Sequence, residues 1–108
     1  MRDLLSAGIN VGLGTDCSAG YMPSIHEAMR AAANVSRHLA MQEGDEKYVL
    51  KFSELVYLAT LGGANALQME TEIGNFEPGK WFDALVVDVE RVIGADDALW
   101  EGDRKSVV

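Results

Sequence analysis

The sequence predicts an α/β fold, and three segments support that prediction. Residues 9–13 (INVGL) form a short apolar run between a helix and a polar turn, which is typical of a parallel strand buried on both faces. Residues 25–41 repeat apolar side chains at steps of three and four positions, as the buried face of a helix does. Residues 84–89 (ALVVDV) show the clearest strand pattern in the chain.

Start and stop signals define the first two helices. Residues 2–7 predict the last turns of a helix, which Gly8 ends with a left-handed cap. Ser24 is the expected N-cap of the long helix, and Glu27 three residues later completes a capping box. Glycine and acidic residues at 44–46 close this helix. Its predicted apolar face consists of Ile25, Met29, Ala32, Val35 and Leu39.

A second helical unit and two turns follow. Ser53 is the expected N-cap of this unit, the glycine pair at 62–63 interrupts it, and residues 64–69 resume the helical pattern. Turn signals at 74–75 (Gly-Asn) and 78–79 (Pro-Gly) then lead into the last predicted strand.

Charge and composition exclude several classes of function. The 108-residue chain carries 17 acidic and 9 basic residues, a net charge of -8. Nucleic acid and anionic membrane surfaces are therefore not expected as partners, and no apolar run is long enough to span a membrane. The single cysteine, Cys17, excludes an internal disulfide and a zinc site of paired cysteines. A reducing, cytoplasmic location is expected, with this thiol buried or half-buried.

Asp16 is the strongest candidate for a functional residue. It lies just after the strand predicted at residues 9–13. The carboxyl ends of parallel strands are where α/β barrels hold their active sites. A purely structural role is the alternative, because aspartate also caps turns of this kind. The residue pattern alone leaves both interpretations open.

Two other motifs give weaker signals. Gly12-Leu13-Gly14 resembles the start of a dinucleotide-binding loop, but the third glycine of that motif would fall at Cys17. His26 and His38 are twelve residues apart on one predicted helix. They would lie on different faces and several turns apart, so they cannot share a metal ion.

Four segments carry a family resemblance. They are residues 7–24 (AGINVGLGTDCSAGYMPS), 28–40 (AMRAAANVSRHLA), 58–67 (LATLGGANAL) and 73–87 (IGNFEPGKWFDALVV). Together they resemble the guanine deaminases of the amidohydrolase superfamily. The Gly-Thr-Asp turn and the Glu-Pro-Gly-Lys segment occur across that superfamily, whereas the Gly-Tyr-x-Pro-Ser loop and the Leu-Ala-Thr-Leu-Gly-Gly run are typical of guanine deaminases.

The resemblance implies a fold and a metal site. Such enzymes are (β/α)₈ barrels of the TIM type with a small composite β-sandwich. Residues 1–72 are therefore expected to form the C-terminal part of the barrel, with its last strand and helices, and residues 73–108 to contribute strands of the sandwich. These enzymes bind one zinc ion through histidines of earlier strands and an aspartate of the eighth. Asp16 matches that aspartate, which makes it the expected metal ligand and a catalytic residue that carries a proton.

The resemblance also implies what lies outside this sequence. The remaining zinc ligands and the residues that contact the purine belong to other strands of such enzymes. The chain is therefore expected to be a C-terminal fragment of a homodimeric enzyme, inactive alone, because zinc hydrolases use about three protein ligands or more. The expected reaction of the complete protein is hydrolysis of guanine to xanthine and ammonia. The alternatives are a zinc aminohydrolase for another purine, a pterin or a triazine, and a non-catalytic truncated piece.

Overall fold

The computed structural model describes residues 1–20 and 22–86. Within these ranges four α-helices occur in chain order, with one 3₁₀ turn between the second and third. They are α1 (Arg2–Ser6), α2 (Ile25–Glu43), the 3₁₀ turn Glu46–Tyr48, α3 (Phe52–Ala59) and α4 (Leu61–Ala66).

The described residues contain no β-strand. The strand expected at residues 9–13 is irregular here, because its backbone bonds to a helix instead: the Leu13 N–H donates to the Leu58 carbonyl at 2.9 Å. Residues 84–86 are also irregular, and residues 87–89 of that expected strand lie outside the described residues. The barrel-and-sandwich fold, with its boundary at residue 72, stays a prediction.

The ends of α1 and α2 confirm most of the expected signals. Gly8 follows α1 in the left-handed region, with φ of +74°, and Gly44 ends α2 with φ of +65°. Ser24 is the N-cap of α2, but its side chain caps no backbone N–H, so the predicted capping box is wrong. Glu27 instead forms an ion pair with Arg30 one turn along the helix, at 3.1 Å.

The second helical unit begins and breaks at positions other than those expected. Its N-cap is Lys51 rather than Ser53, because the Glu54 carboxylate accepts the Lys51 N–H at 2.8 Å and closes the first turn there. The break falls at Thr60, whose φ of −126° and ψ of −100° are not helical. The glycine pair at 62–63 lies inside α4.

The core lies between α2, α3 and the segment that joins them. Leu58 is completely buried, and Ala33, Leu50 and Leu55 pack with it. The buried Ser36 hydroxyl accepts the Leu50 N–H at 3.1 Å and donates to the Ala33 carbonyl at 2.8 Å. This polar bridge satisfies the backbone of the connecting segment where it enters the core.

An ion pair ties α1 to α3. The Arg2 guanidinium donates to both carboxylate oxygens of Glu54, at 2.6 and 3.0 Å, and to the Val49 carbonyl at 2.8 Å. The hydrogen bond from Arg2, with the one from the Lys51 N–H, lowers the pKa of Glu54 from 4.5 to about 2. The short first helix is thus held by charge-assisted bonds as well as by the packing of Leu5 against the core.

Only part of the predicted α2 face is covered. Met29 and Ala32 pack against the core, whereas Val35 is 59% exposed and Leu39 lies at the surface. Among the described residues, no helix is both long and apolar enough to cross a membrane.

The two predicted turns after α4 are confirmed. Gly74 and Gly79 adopt φ values of +103° and +95°. Lys80 stabilises the loop between them, because its ammonium donates to Asn75 Oδ1 at 2.6 Å and pairs with the Glu77 carboxylate at 3.0 Å.

Candidate functional site

Asp16 lies in a tight turn after residues 9–14. Its φ of +48° is in the left-handed region, which aspartate tolerates better than most residues because its short side chain can bond locally. Its carbonyl accepts the Ala19 N–H at 2.8 Å and also the Gly20 N–H. A Cβ at Gly20 would collide with the Thr15 carbonyl, so only glycine lets the loop close this tightly.

The Asp16 side chain is exposed, and its carboxylate has no hydrogen-bond or ion-pair partner among the described residues. Four carboxylates, Glu27, Asp45, Glu54 and Glu77, form ion pairs, whereas in the described part of the chain Asp16 shares its lack of a partner with exposed acidic residues such as Asp3 and Glu70. An aspartate that only capped its own turn would be expected to accept a local N–H through its side chain. The unoccupied oxygens leave Asp16 available to a ligand.

The segment before Asp16 lies directly on α3 and α4. A Cβ at Gly12 would stand 2.7 Å from the Gly63 Cα, so the two backbones are in close contact, as glycine inside an extended segment often indicates. Gly14 behaves differently, because a Cβ there would meet no described atom within 4 Å. The contact with α4 therefore fixes the position of the backbone that leads into the Asp16 turn.

The other candidate residues do not join Asp16. Cys17 is exposed, so the expectation of a buried or half-buried thiol is wrong; the residue lies in the outward-facing turn. His26 and His38 are both exposed on α2, twelve residues apart, as expected for histidines that share no metal ion.

A zinc site can be tested against the donors of this chain. Within residues 1–20 and 22–86, no group of three or more His, Cys, Asp or Glu side chains could hold a metal ion. Zinc needs about three protein ligands or more, and a free carboxylate is an acceptable one. Asp16 therefore fits as one ligand of a shared site, and further ligands would have to come from outside the described residues.

A groove of about 440 Å³ lies between α2, α3 and the loop after α4. Its wall includes His26, Phe52, Asn75 and Trp81, and the Asp16 turn does not contribute to it. Sequence reasoning did not anticipate this groove. The signal in the sequence was two aromatic residues, Phe52 at the start of α3 and Trp81 after the Pro-Gly turn.

Comparison with known proteins supports one family. The family model described as "Amidohydrolase family" matches residues 1–108. A Schizosaccharomyces pombe protein named "Probable guanine deaminase" is 54% identical over 89 residues, which cover 82% of this chain and 17% of that protein. The "Guanine deaminase" of Rattus norvegicus is 46% identical over 86 residues, covering 80% of this chain and 19% of the relative.

A third relative has a different named substrate. The "5-methylthioadenosine/S-adenosylhomocysteine deaminase" of Moorella thermoacetica is 37% identical over 92 residues, covering 84% of this chain and 21% of that protein. The chain spans about a fifth of the length of the curated relatives it matches. Since the family model covers the chain from end to end, this chain belongs to the amidohydrolase family.

Proposed function

We propose that this chain acts in a zinc-dependent enzyme that hydrolyses guanine to xanthine and ammonia. The observation that carries the proposal is the 54% and 46% identity to relatives named as guanine deaminases. The free carboxylate of Asp16 supports it, because the residue that the resemblance assigns to zinc is exposed and unpaired in the described structure. The other zinc ligands would come from outside this chain.

Asp16 has two tasks in this proposal. A zinc ion, when bound, lowers the pKa of water enough for it to act as a nucleophile at neutral pH. One carboxylate oxygen of Asp16 would contribute to holding the ion. The second carboxylate oxygen would accept a proton and pass it towards the leaving ammonia. This transfer is general acid–base catalysis. No further residue of this chain is assigned to the chemistry.

The turn around Asp16 suits these tasks. Ala19 and Gly20 bond to the Asp16 carbonyl and hold the backbone, so the side chain is presented outward from a fixed base. The backbone at Asp16 therefore loses little conformational entropy when its side chain binds an ion. Catalytic groups placed in advance in this way lower the barrier of the step they serve.

The partners proposed with this activity follow from charge and resemblance. Guanine is the proposed small-molecule substrate. The net charge of -8 disfavours nucleic acid and anionic membranes. A homodimeric enzyme in the cytoplasm is proposed by resemblance to the family.

A second candidate is deamination of another purine. The 37% identity to a relative named for 5-methylthioadenosine and S-adenosylhomocysteine favours it, because that protein matches a similar share of this chain. The higher identity to the guanine deaminases makes guanine the first choice.

A chimera tests whether this chain can complete an enzyme that hydrolyses guanine. This chain replaces the matching segment of the full-length Schizosaccharomyces pombe relative, and ammonia release is measured with guanine, adenine and 5-methylthioadenosine. The proposal expects turnover of guanine above the other two substrates. A folded, zinc-loaded chimera that releases no ammonia from guanine would contradict it.

The chain alone is expected to be inactive, since its described residues bring no three metal ligands together. The measurement is ammonia release from guanine by the purified chain with added zinc. Clear turnover would show that the chain holds a complete site.

A further inference from the structure

Three glycines form the contact between the segment before Asp16 and the helices beneath it. We call Gly12, Gly62 and Gly63 the glycine seam. A Cβ at Gly12 would lie 2.7 Å from the Gly63 Cα and 3.3 Å from its nitrogen. A Cβ at Gly62 would lie 3.0 Å from the Val11 carbonyl and 2.9 Å from the Tyr57 carbonyl. The seam therefore joins backbone to backbone, where no side chain can rotate away.

A hydrogen bond fixes the register of the same segment. The Leu13 N–H donates to the Leu58 carbonyl at 2.9 Å, and Leu58 is the completely buried centre of the core. Gly12 is thus held by its contact with Gly63 of α4, and Leu13 by its bond to Leu58 of α3. Both partners are rigid, since one is helix backbone and the other belongs to a core residue.

Only two residues separate this anchor from Asp16. Gly14 and Thr15 lead from Leu13 into the turn, and the Thr15 carbonyl is packed against Gly20. The connection is therefore short, and its far end is closed by the bonds to the Asp16 carbonyl. A displacement at Gly12 would be carried into the turn and would move the carboxylate.

We propose that Gly12 is a positioning residue for Asp16, acting through its backbone contact with Gly63. The proposal rests on the proposed function of Asp16 as a zinc ligand and proton carrier. A methyl group at position 12 lifts the segment away from α4, so the carboxylate no longer meets the ion and the substrate in the productive geometry. Displacements of about 1 Å in such groups can cost on the order of 100-fold in rate.

The chain supplies two matched controls. Gly14→Ala makes the same change two residues closer to Asp16, at a site where the new Cβ meets no atom of residues 1–20 and 22–86 within 4 Å. Gly63→Ala changes the other partner of the contact, and its Cβ would be 3.8 Å from the Leu58 carbonyl, an ordinary contact distance. Neither control displaces the segment, although each adds the same methyl group as Gly12→Ala.

The test uses the full-length chimera described above, with gel-filtered, folded protein in every measurement. Zinc affinity is measured by competition with a chelator, and kcat and KM are measured with guanine. Gly12→Ala is expected to weaken zinc binding by about 10- to 100-fold. It is expected to lower kcat on the order of 100-fold, with KM changed by less than about twofold, since ground-state binding is kept. Both control variants are expected to match the wild-type chimera.

Gly62→Ala replaces Gly12→Ala if the latter yields no folded protein. Its Cβ would press on the Val11 carbonyl at 3.0 Å and on the Tyr57 carbonyl of α3 at 2.9 Å, so it displaces the same segment less directly. A smaller loss in the same two quantities is expected.

Equal zinc affinity and kcat in Gly12→Ala and Gly14→Ala would overturn the positioning role. In that case guanine turnover by the wild-type chimera would still support the proposed function. A wild-type chimera without guanine turnover overturns the proposed function, and the positioning role falls with it.

Discussion

The helical core and the segment at residues 76–86 are stabilised in opposite ways. Leu58 is completely buried among side chains of α2, α3 and the connection between them. In the later segment Phe82 is 85% exposed and Val86 is 97% exposed. Its local order comes from the contacts of Lys80, from a Trp81 N–H bond to the Glu72 carbonyl at 2.8 Å and from the stacking of Phe82 on Phe76. Among the described residues, burial is therefore concentrated where the helices pack against one another, whereas the later apolar side chains are turned to solvent.

Truncating the centre of the core tests this comparison with the largest expected effect. Leu58→Ala should lower the free energy of unfolding of the helical unit by about 2–5 kcal/mol, because a completely buried leucine leaves a cavity. The control, Leu85→Ala, removes the same side chain at a 74% exposed position and should cost less than about 0.5 kcal/mol. Urea titration followed by helical circular dichroism measures both. Similar losses in the two variants would contradict the comparison.

The Arg2–Glu54 pair tests whether charge also holds the helical unit. The pKa of Glu54 is lowered from 4.5 to about 2, so its contribution is complete above pH 4.5 and is lost as the pH falls towards 2. The loss should be about 1–2 kcal/mol after solvent screening, since the carboxylate is 33% exposed.

Glu54→Gln should flatten this pH dependence, whereas Glu70→Gln, at an exposed glutamate, should leave it unchanged. Urea titrations from about pH 2 to above pH 4.5 make the measurement. An unaltered acid dependence in Glu54→Gln would show that the pair contributes nothing to stability.

The Lys80 loop should show the smallest effect. Lys80→Met keeps an unbranched side chain of similar length but removes the bonds to Asn75 and Glu77, and it should cost less than about 1 kcal/mol. The loop should nevertheless loosen, which the emission of Trp81 reports in a Trp100→Phe background. Lys51→Met, at an exposed lysine, is the control. Unchanged Trp81 emission would mean that the ammonium does not order the loop.

Local signals explain what the sequence predicted correctly. The end of α2 at Gly44 depends on one residue entering the left-handed region, and the turns at 74–75 and 78–79 depend on their own glycines. The position of Asp16 in a turn likewise follows from its neighbours. Each of these features depends on a few neighbouring residues, so the sequence alone predicts it.

The errors arose where a competing contact decided the outcome. Glu27 had a basic partner one turn along α2, so the expected capping box with Ser24 did not form. Glu54, rather than the Ser53 hydroxyl, closed the first turn of α3. The contact between Gly12 and Gly63 joins residues far apart in sequence, and its partner could not be identified from spacing.

In the proposed function the Asp16 carboxylate, and not merely its turn, serves the reaction. The Asp16→Asn substitution would keep the backbone, because asparagine also tolerates the left-handed region, but the new amide is a poorer metal ligand and cannot accept the proton. The direct measurement is guanine turnover by the chimera with Asp16→Asn, beside Asp3→Asn, which alters an exposed aspartate in the first turn of α1. We predict nearly complete loss of turnover for Asp16→Asn in folded protein, and near-normal turnover for Asp3→Asn. Near-normal rates in Asp16→Asn would contradict the account and reduce Asp16 to a turn residue.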